Sequence, residues 1–381
     1  MPILSRVFTT EDYSVFSLFY AWIVPLAVFS TFRIEFAIPH QISSEKRYTT
    51  AFTAIKSSII ITTLVSVIIF IGWILGWLHN TGILIWIPLG IVSVSIPQIL
   101  YFLSTRENQY KKSGLYRIIN NLVLQSASAL LGWMLWGSTG LIVGMLVGQL
   151  AGALTLSIGN GKKLIENSEK KNWIESLKEF KSYILFSTPQ GLIETLQLSG
   201  TIFIIYYLFD EPYPGLFYLC WRILQSPITL ISNTIFVVHY NNASQLHNQQ
   251  QDYRWLIIKT AKLLFIGGGI IGGILFLFGP SLFAIFLGEP WREAGEIARI
   301  LSLWFVFQFA VTPFSFVAII ENKQQTAFLL SLLDIALKVM SLFIGSHFES
   351  IKIGLYLYSI SGTLILIFTY FWYLKQSKKD F

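Results

Sequence analysis

Residues 55–78 of this chain have the sequence IKSSIIITTLVSVIIFIGWILGWL, in which Lys56 is the one charged residue. A helix of about 20 mostly apolar residues is long enough to cross the roughly 30 Å hydrocarbon core of a bilayer. The whole chain is 54% hydrophobic and 12% charged, whereas a soluble domain is about 25% charged. This composition predicts a membrane protein whose apolar surface is covered by lipid.

Further apolar runs of similar length occupy most of the chain. The eleven predicted transmembrane helices are residues 13–32, 55–78, 83–104, 117–136, 139–158, 183–209, 214–239, 257–278, 295–320, 325–346 and 352–375. Backbone polar groups in lipid must bond within their own segment, and the alternating pattern of a membrane barrel is absent. The predicted fold class is therefore an all-α polytopic membrane protein.

Lysine and arginine concentrate in every second connection between these runs. Of the 27 Lys and Arg residues, the eleven-span assignment places 21 on one side, including Lys375, Lys378 and Lys379 in the C-terminal tail. Positively charged connections are retained in the cytoplasm during insertion. We therefore expect a cytoplasmic C-terminus and place residues 1–12 on the opposite side.

The chain contains an internal repeat. The segment from Phe8 to Tyr13, followed by Leu18-Phe-Tyr and Trp22, resembles the segment from Phe209 to Tyr213, followed by Leu216-Phe-Tyr and Trp221. Such parallel repeats are one architecture of transporters, whose site lies between the two halves. We expect two pseudo-repeated lobes of six helices, with the first helix missing from this chain.

The repeat predicts three regions. They are an N-terminal lobe at 1–158 with five of its six helices, a cytoplasmic amphipathic linker at 159–182, and a C-terminal lobe of six helices with a cytoplasmic tail at 183–381. In the linker, Trp173, Leu177 and Phe180 share one helical face opposite lysines. This pattern indicates a helix on the membrane surface.

Several functional classes receive no support from the sequence. The chain has one cysteine and five histidines, without metal-ligand spacing, so no metal and no cofactor are expected. Its net charge of +7 is explained by membrane orientation, so nucleic acid is not an expected partner. The connections on the outer side are short and hold no carboxylate or histidine cluster, so we expect no enzymatic activity.

Ionisable residues inside the apolar runs are the main functional candidates. Arg222 lies about 12 Å inside a span at 1.5 Å per residue, where a cation costs about 2.5–3.5 kcal/mol. Such a residue must contact a partner or a water-filled cavity, and the preceding helix offers Glu194 and Gln197. The predicted substrate-binding residues are Arg222, Arg299, Lys338, Arg33, Arg117, Asn120, Gln197 and Gln225, and the candidates for binding a coupling ion are Glu194 and Asp334.

Two interpretations of these cations remain open. In the first, surplus cations along an inward-facing polar seam attract a phosphate-bearing substrate. In the second, Asp334 with Lys338 and Glu296 with Arg299 neutralise each other, because each pair is spaced to meet on a helix face. In that case Arg33 and Arg117 only extend towards lipid headgroups.

Longer motifs resemble a known family. They are the segments 2–13, 32–38, 186–189 with 221–227, and 288–301 (GEPWREAGEIARIL). These segments are similar to polysaccharide flippases of the multidrug, oligosaccharidyl-lipid and polysaccharide exporter superfamily, in particular to O-antigen repeat-unit translocases. Arg33 and Arg222 lie within the matching motifs, and the resemblance implies a two-lobed, V-shaped fold.

The resemblance implies translocation of a polyprenyl-diphosphate-linked oligosaccharide, such as an O-antigen or other surface polysaccharide unit for lipopolysaccharide, across the bacterial inner membrane by alternating access. Membrane lipids, a polysaccharide polymerase and a chain-length regulator are the further partners it suggests. Three alternatives remain. They are a drug or cation antiporter with an acidic cavity, a membrane polymerase or ligase acting on lipid-linked glycan, and a scaffold for glycan assembly.

Overall fold

The computed structural model describes residues 2–77, 82–158, 160–166 and 173–378, apart from the side chains at 165, 174, 175 and 237. Parts of the predicted linker and the end of the tail, at 159, 167–172 and 379–381, lie outside these ranges. The helices are α1 (Leu4–Val7), α2 (Thr10–Thr31), α3 (Ser44–Ile74), α4 (Ile87–Arg106), α5 (Tyr110–Trp133), α6 (Gly137–Ser157), α7 (Gly161–Glu166), α8 (Trp173–Glu179), α9 (Thr188–Leu208), α10 (Tyr213–Asn248), α11 (Arg254–Leu287), α12 (Arg292–Val311), α13 (Phe316–Ile320), α14 (Gln324–His347) and α15 (Ile351–Gln376).

The described residues contain helices and no strands, which confirms the all-α prediction. Each of the eleven predicted spans is helical over most of its described length, and nine helical segments of the described residues are long and apolar enough to cross a membrane. The count of eleven is not confirmed, because α5 and α10 are not among these nine. Both helices carry predicted polar site residues, Arg117 and Asn120 on α5 and Arg222 and Gln225 on α10.

Local sequence accounts for the beginnings of several helices. Thr9 and Asp12 form a reciprocal capping box at the start of α2, and Ser43 accepts a hydrogen bond from the Lys46 backbone at the start of α3. Within α3, hydroxyls such as those of Thr50 and Thr53 donate to the carbonyl four residues earlier. This bonding satisfies a polar group inside an apolar helix.

The chain forms two compact units, Met1–Phe203 and Ile204–Phe381. In the first unit, α4 packs against α2, α3 and α6, and α5 packs against α6. In the second, α12 packs against α10, α11 and α15, and α14 packs against α15. The same pairing of helices recurs about 200 residues later, as the internal repeat predicts. The unit boundary lies inside α9, and the predicted lobe boundaries stay a prediction.

The apolar face predicted in the linker is covered by protein. Phe180 is buried in a core cluster of the first unit together with Tyr48 and Ala51 of α3, and Leu177 packs against the same cluster. The Trp173 indole N–H donates to the Ser57 hydroxyl of α3 at 2.9 Å. The described part of α8 therefore rests on α3, where the sequence had suggested contact with the membrane surface.

Two glycines of α11 allow it to approach α12 closely. A Cβ at Gly272 would lie 2.4 Å from Val306, and one at Gly279 would lie 2.8 Å from the Gly295 carbonyl oxygen. Small residues permit such packing between membrane helices. Within the segment 267–273, Gly268 and Gly272 therefore contribute to helix packing. A Cβ at Gly267, Gly269 or Gly273 would have no neighbouring atom within 4 Å.

Candidate functional site

The candidate residues of the first unit begin at the turn that follows α2. Phe32 and Arg33 have φ angles of 51° and 53°, a left-handed conformation that is uncommon for residues with side chains. The Arg33 guanidinium Nη1 lies 3.1 Å from the Glu194 carboxylate on α9. A Cβ at Gly191 would lie 2.7 Å from the Arg33 side chain, so the glycine permits this approach.

Arg33 is also the first member of a continuous row of cations and rings. Its Cζ lies 4.4 Å from the centre of the Phe36 ring, and the Phe36 and Phe102 rings are 4.9 Å apart. Phe102 contacts Tyr101 edge to face at 6.4 Å. Arg117 of α5 lies over Tyr101 at 5.0 Å and donates to its hydroxyl oxygen at 2.5 Å. We call these five residues the arginine–aromatic row.

The row holds its two cations in different ways. Arg33 has a carboxylate partner, although the Glu194 side chain is 53% exposed, so solvent weakens that pair. Within the described ranges Arg117 forms no ion pair, and its hydrogen bond and ring contact involve the neutral Tyr101. A cation held by an aromatic ring keeps its full charge, so the row retains net positive charge at Arg117.

Asn120 lies one turn beyond Arg117 and is buried against α6. Its amide donates to the Gln149 side-chain oxygen at 2.8 Å, which also accepts from the Tyr116 hydroxyl at 3.3 Å. Gln149 was not among the predicted residues, although a polar residue in the otherwise apolar span 139–158 could have indicated it. The structure thus orients Asn120 into the contact between α5 and α6.

A buried carboxyl group lies two residues after Arg33. Glu35 is 1% exposed, and its Oε1 accepts from the Gln98 amide at 3.2 Å. Its Oε2 has no hydrogen-bond partner in the described part of the chain. Burial raises the pKa of Glu35, while its own backbone N–H, the Thr31 hydroxyl and the Arg33 charge oppose the rise. The folded protein therefore favours the protonated carboxyl more than an exposed glutamate does.

In the second unit, Arg222 is half-buried on α10. Its Nη1 lies 3.4 Å from the Tyr218 hydroxyl oxygen, one turn earlier on the helix. Gln225 follows three residues later and is also half-buried, so the two side chains lie near each other on α10. Gln197, on the part of α9 that belongs to the first unit, is half-buried as well.

Lys338 is enclosed by other side chains of this unit. Its ammonium lies 2.6 Å from the Asp334 carboxylate, and the Lys338 side chain is 5% exposed. Trp304 and Tyr358 flank the ammonium at 5.3 and 5.0 Å from their ring centres. Trp304 in turn stacks on Trp221 at 4.9 Å. The two rings flanking Lys338 come from α12 and α15, and nothing in the sequence spacing indicated them.

Arg299 also has a local partner. Its Nη1 lies 3.1 Å from the Glu296 carboxylate, and its Nε donates to the Phe276 carbonyl of α11 at 3.1 Å. Both predicted ion pairs, at Lys338 and at Arg299, are therefore formed. Whether these residues or any other predicted site residue binds substrate stays a prediction.

The chemistry available at these positions is the binding of anions and polar groups. The described residues hold no cluster of three or more His, Cys, Asp or Glu side chains arranged for a metal ion. Nine helical segments of the described residues are long and apolar enough to cross a membrane, and the pairing of helices is the same in both units. These features define the class, a polytopic membrane protein built from two repeated units.

Comparison with known proteins gives the family. A family profile described as "Polysaccharide biosynthesis protein" matches residues 3–296. The chain belongs to this family. No curated protein sequence matches it.

Similar solved structures identify the fold. An inward-facing multidrug resistance MATE family transporter of the MOP superfamily is 12% identical, with a TM-score of 0.75 over 99% of this chain and 92% of that one. A MOP superfamily transporter from Pyrococcus furiosus is 14% identical, with a TM-score of 0.63 over 99% and 89%. The resemblance to the MOP superfamily is confirmed at the level of the fold.

Proposed function

We propose that this protein moves a polyprenyl-diphosphate-linked oligosaccharide, such as an O-antigen or other surface polysaccharide repeat unit, across the bacterial inner membrane by alternating access. The family supports a role in polysaccharide biosynthesis, and the fold supports a membrane translocase. Most of the positively charged connections, including Lys375 and Lys378 in the tail, would lie in the cytoplasm.

The observation that carries the substrate class is the state of Arg117. Its guanidinium is exposed, fixed by Tyr101, and not neutralised by a carboxylate within the described ranges. A planar guanidinium suits bidentate binding of phosphate oxygens. A drug or cation antiporter would need excess negative charge at the corresponding place, which makes it the weaker interpretation.

The roles of the remaining candidates follow from their partners. Arg222 would bind the diphosphate, and Gln197, Gln225 and Asn120 would contact sugars. Arg299 and Lys338 would assist only after leaving Glu296 and Asp334, because a paired cation has little net charge to offer. Glu194 and Asp334 stay candidates for binding a coupling ion. In the structure Glu194 is paired with Arg33 and Asp334 with Lys338.

One of the similar structures is described by a "reverse polarity of binding pocket" that suggests a different function within the MOP superfamily. The charges of this chain must therefore be tested directly. If the protein instead polymerised or ligated lipid-linked glycan, it would form product from glycan that stays on one side of the membrane.

The test uses reconstituted vesicles containing a lipid-linked diphosphate oligosaccharide on one leaflet. We expect Arg222→Ala to lower the translocation rate by about tenfold or more, since one charge-assisted contact is lost. Arg222→Lys, which keeps the charge, should retain part of the rate. Arg292→Ala is the matched control, because Arg292 is exposed and bound to Glu289 at the start of α12.

The same variants can be examined in cells that lack their own translocase. Loss of surface glycan with Arg222→Ala at wild-type protein level, and normal glycan with Arg292→Ala, would support the proposal. Unimpaired translocation by Arg222→Ala would remove Arg222 from the substrate site. Vesicle transport of a cationic drug in place of the glycan lipid would favour the antiporter.

A further inference from the structure

A pocket lies where α4 ends and α5 begins, next to the arginine–aromatic row. Its volume is about 260 Å³, and its walls include Tyr101, Phe102, Arg106 and Tyr110. The proposed function assigns no role to Arg106 or Tyr110. The pocket has aromatic walls and a cation at the end of a membrane-spanning helix, where hydrocarbon meets headgroups.

The turn between the two helices fixes the shape of this pocket. Asn108 has a φ of 59°, and its backbone N–H bonds to the Thr105 carbonyl while that of Gln109 bonds to the Ser104 carbonyl. These bonds close α4 with a left-handed residue. The Tyr110 hydroxyl donates to the Asn108 side-chain oxygen at 3.0 Å, which holds the Tyr110 ring beside the pocket.

Arg106 contributes a donor that the protein does not satisfy. Its Nε is buried and lacks a hydrogen-bond partner among the residues that the structure describes. The nearby Arg47 shows the contrast, because it binds the Glu107 carboxylate at 2.6 Å and two backbone carbonyls. The Arg106 side chain lines the pocket and forms no ion pair within the described ranges, so an anion bound in the pocket would supply its counter-charge.

The Tyr101 side chain, which also lines the pocket, offers a second donor. The Tyr101 hydroxyl oxygen accepts from Arg117, which leaves the hydroxyl hydrogen free to donate. The acidic residue nearest in sequence, Glu107, is held by Arg47 and does not line the pocket. The surroundings of the pocket are therefore positive, with Lys111 and Lys112 close by in the chain.

The walls favour an anion that carries an apolar part. Phe102, Tyr110 and Pro39 present mostly apolar surface, which free phosphate would not use. Basic pockets between helices on the cytoplasmic side suit anionic lipid headgroups. We propose that this pocket binds the phosphate of an anionic phospholipid, with Arg106 and the Tyr101 hydroxyl on the phosphate and the rings against the glycerol and upper acyl chains.

The test measures lipid binding to the purified full chain in neutral detergent, by native mass spectrometry. The probes are short-chain phosphatidylglycerol, phosphatidylcholine of the same chain length, and inorganic phosphate. We expect phosphatidylglycerol to bind about tenfold more tightly than phosphatidylcholine, and Arg106→Gln to remove most of that difference. Arg292→Gln, which changes an exposed arginine elsewhere, should leave binding unchanged.

A second variant separates the apolar contact from the charge. Tyr110 is 64% exposed, so Tyr110→Ala should fold, and we expect it to weaken phosphatidylglycerol binding. Equal binding of the two lipids to the wild type, or unchanged binding by both variants, would overturn the proposal. Inorganic phosphate that competes as well as the lipid would overturn the lipid assignment. The assay contains no oligosaccharide, so its result is independent of the proposed translocation.

Discussion

Helices α5 and α14 have matching partners in the two units, since α5 packs against α6 and α14 packs against α15, but they hold their cations differently. Arg117 lies near the beginning of α5 and rests on the neutral Tyr101. Lys338 lies in the middle of α14 and is bound to Asp334 inside the unit. The repeat has conserved the helix pairing while the electrostatics of the two helices have diverged.

The difference shows how a membrane protein can use one cation for binding and another for structure. A buried ammonium needs a carboxylate, and the resulting pair is close to neutral. An exposed guanidinium over a ring needs no such partner and can still attract an anion. Under the proposed function, Lys338 therefore serves mainly the stability of the second unit and Arg117 serves binding.

Removal of the Asp334 carboxylate, which neutralises Lys338, should have the largest effect on stability. Asp334→Asn leaves the Lys338 ammonium buried without a counter-charge, and we expect a loss of about 3–5 kcal/mol of stability, measured as thermal unfolding in detergent. The double variant Asp334→Asn with Lys338→Met should recover most of it. Arg117→Met should change stability by about 1 kcal/mol or less. Equal losses at the two helices would break the distinction.

A smaller change tests whether Tyr101 positions Arg117. Tyr101→Phe keeps the ring but removes the hydroxyl oxygen to which Arg117 donates. We expect a loss of about 1 kcal/mol in stability and a several-fold lower translocation rate in the vesicle assay. Tyr356→Phe, an exposed tyrosine of α15, is the control. An unchanged rate would mean that the ring alone holds the guanidinium.

The smallest effect concerns the buried carboxyl group of Glu35, which forms no ion pair within the described ranges. Its pKa is raised by burial above the ordinary 4.5, so its stabilising contribution is present at low pH and is lost as pH rises through the folded-state pKa. Glu35→Gln removes this loss, and its stability relative to the wild type should therefore increase with pH. Melting temperatures from pH 4.5 upward would show the trend.

Gln251→Asn, at an exposed position without a titratable group, provides the control for that series. It should follow the pH dependence of the wild type. A Glu35→Gln variant that also follows the wild type at every pH would show that Glu35 is ionised in the folded protein. In that case the two units would not differ in how they hold a carboxyl group away from water.

Part of the candidate site could be predicted from spacing alone. The pairs Asp334–Lys338 and Glu296–Arg299 are separated by one helical turn, and both form as expected. The partner of Arg33 could not be found in this way, because Glu194 is 161 residues away in sequence. The contact between Arg117 and Tyr101 could not be predicted either, because any of the chain's many aromatic residues could have filled that place.

Local properties of the amino-acid chain were sufficient for the helical membrane class, the positions of the helices, the internal repeat and the ion pairs within a turn. These features depend on apolar length and helical periodicity, which neighbouring residues specify among themselves. Packing of the helices determined which charges are neutralised, that Glu35 is enclosed, and that Arg106 lines a pocket. Those outcomes depend on contacts between distant segments and on exclusion of water, which only the folded arrangement specifies.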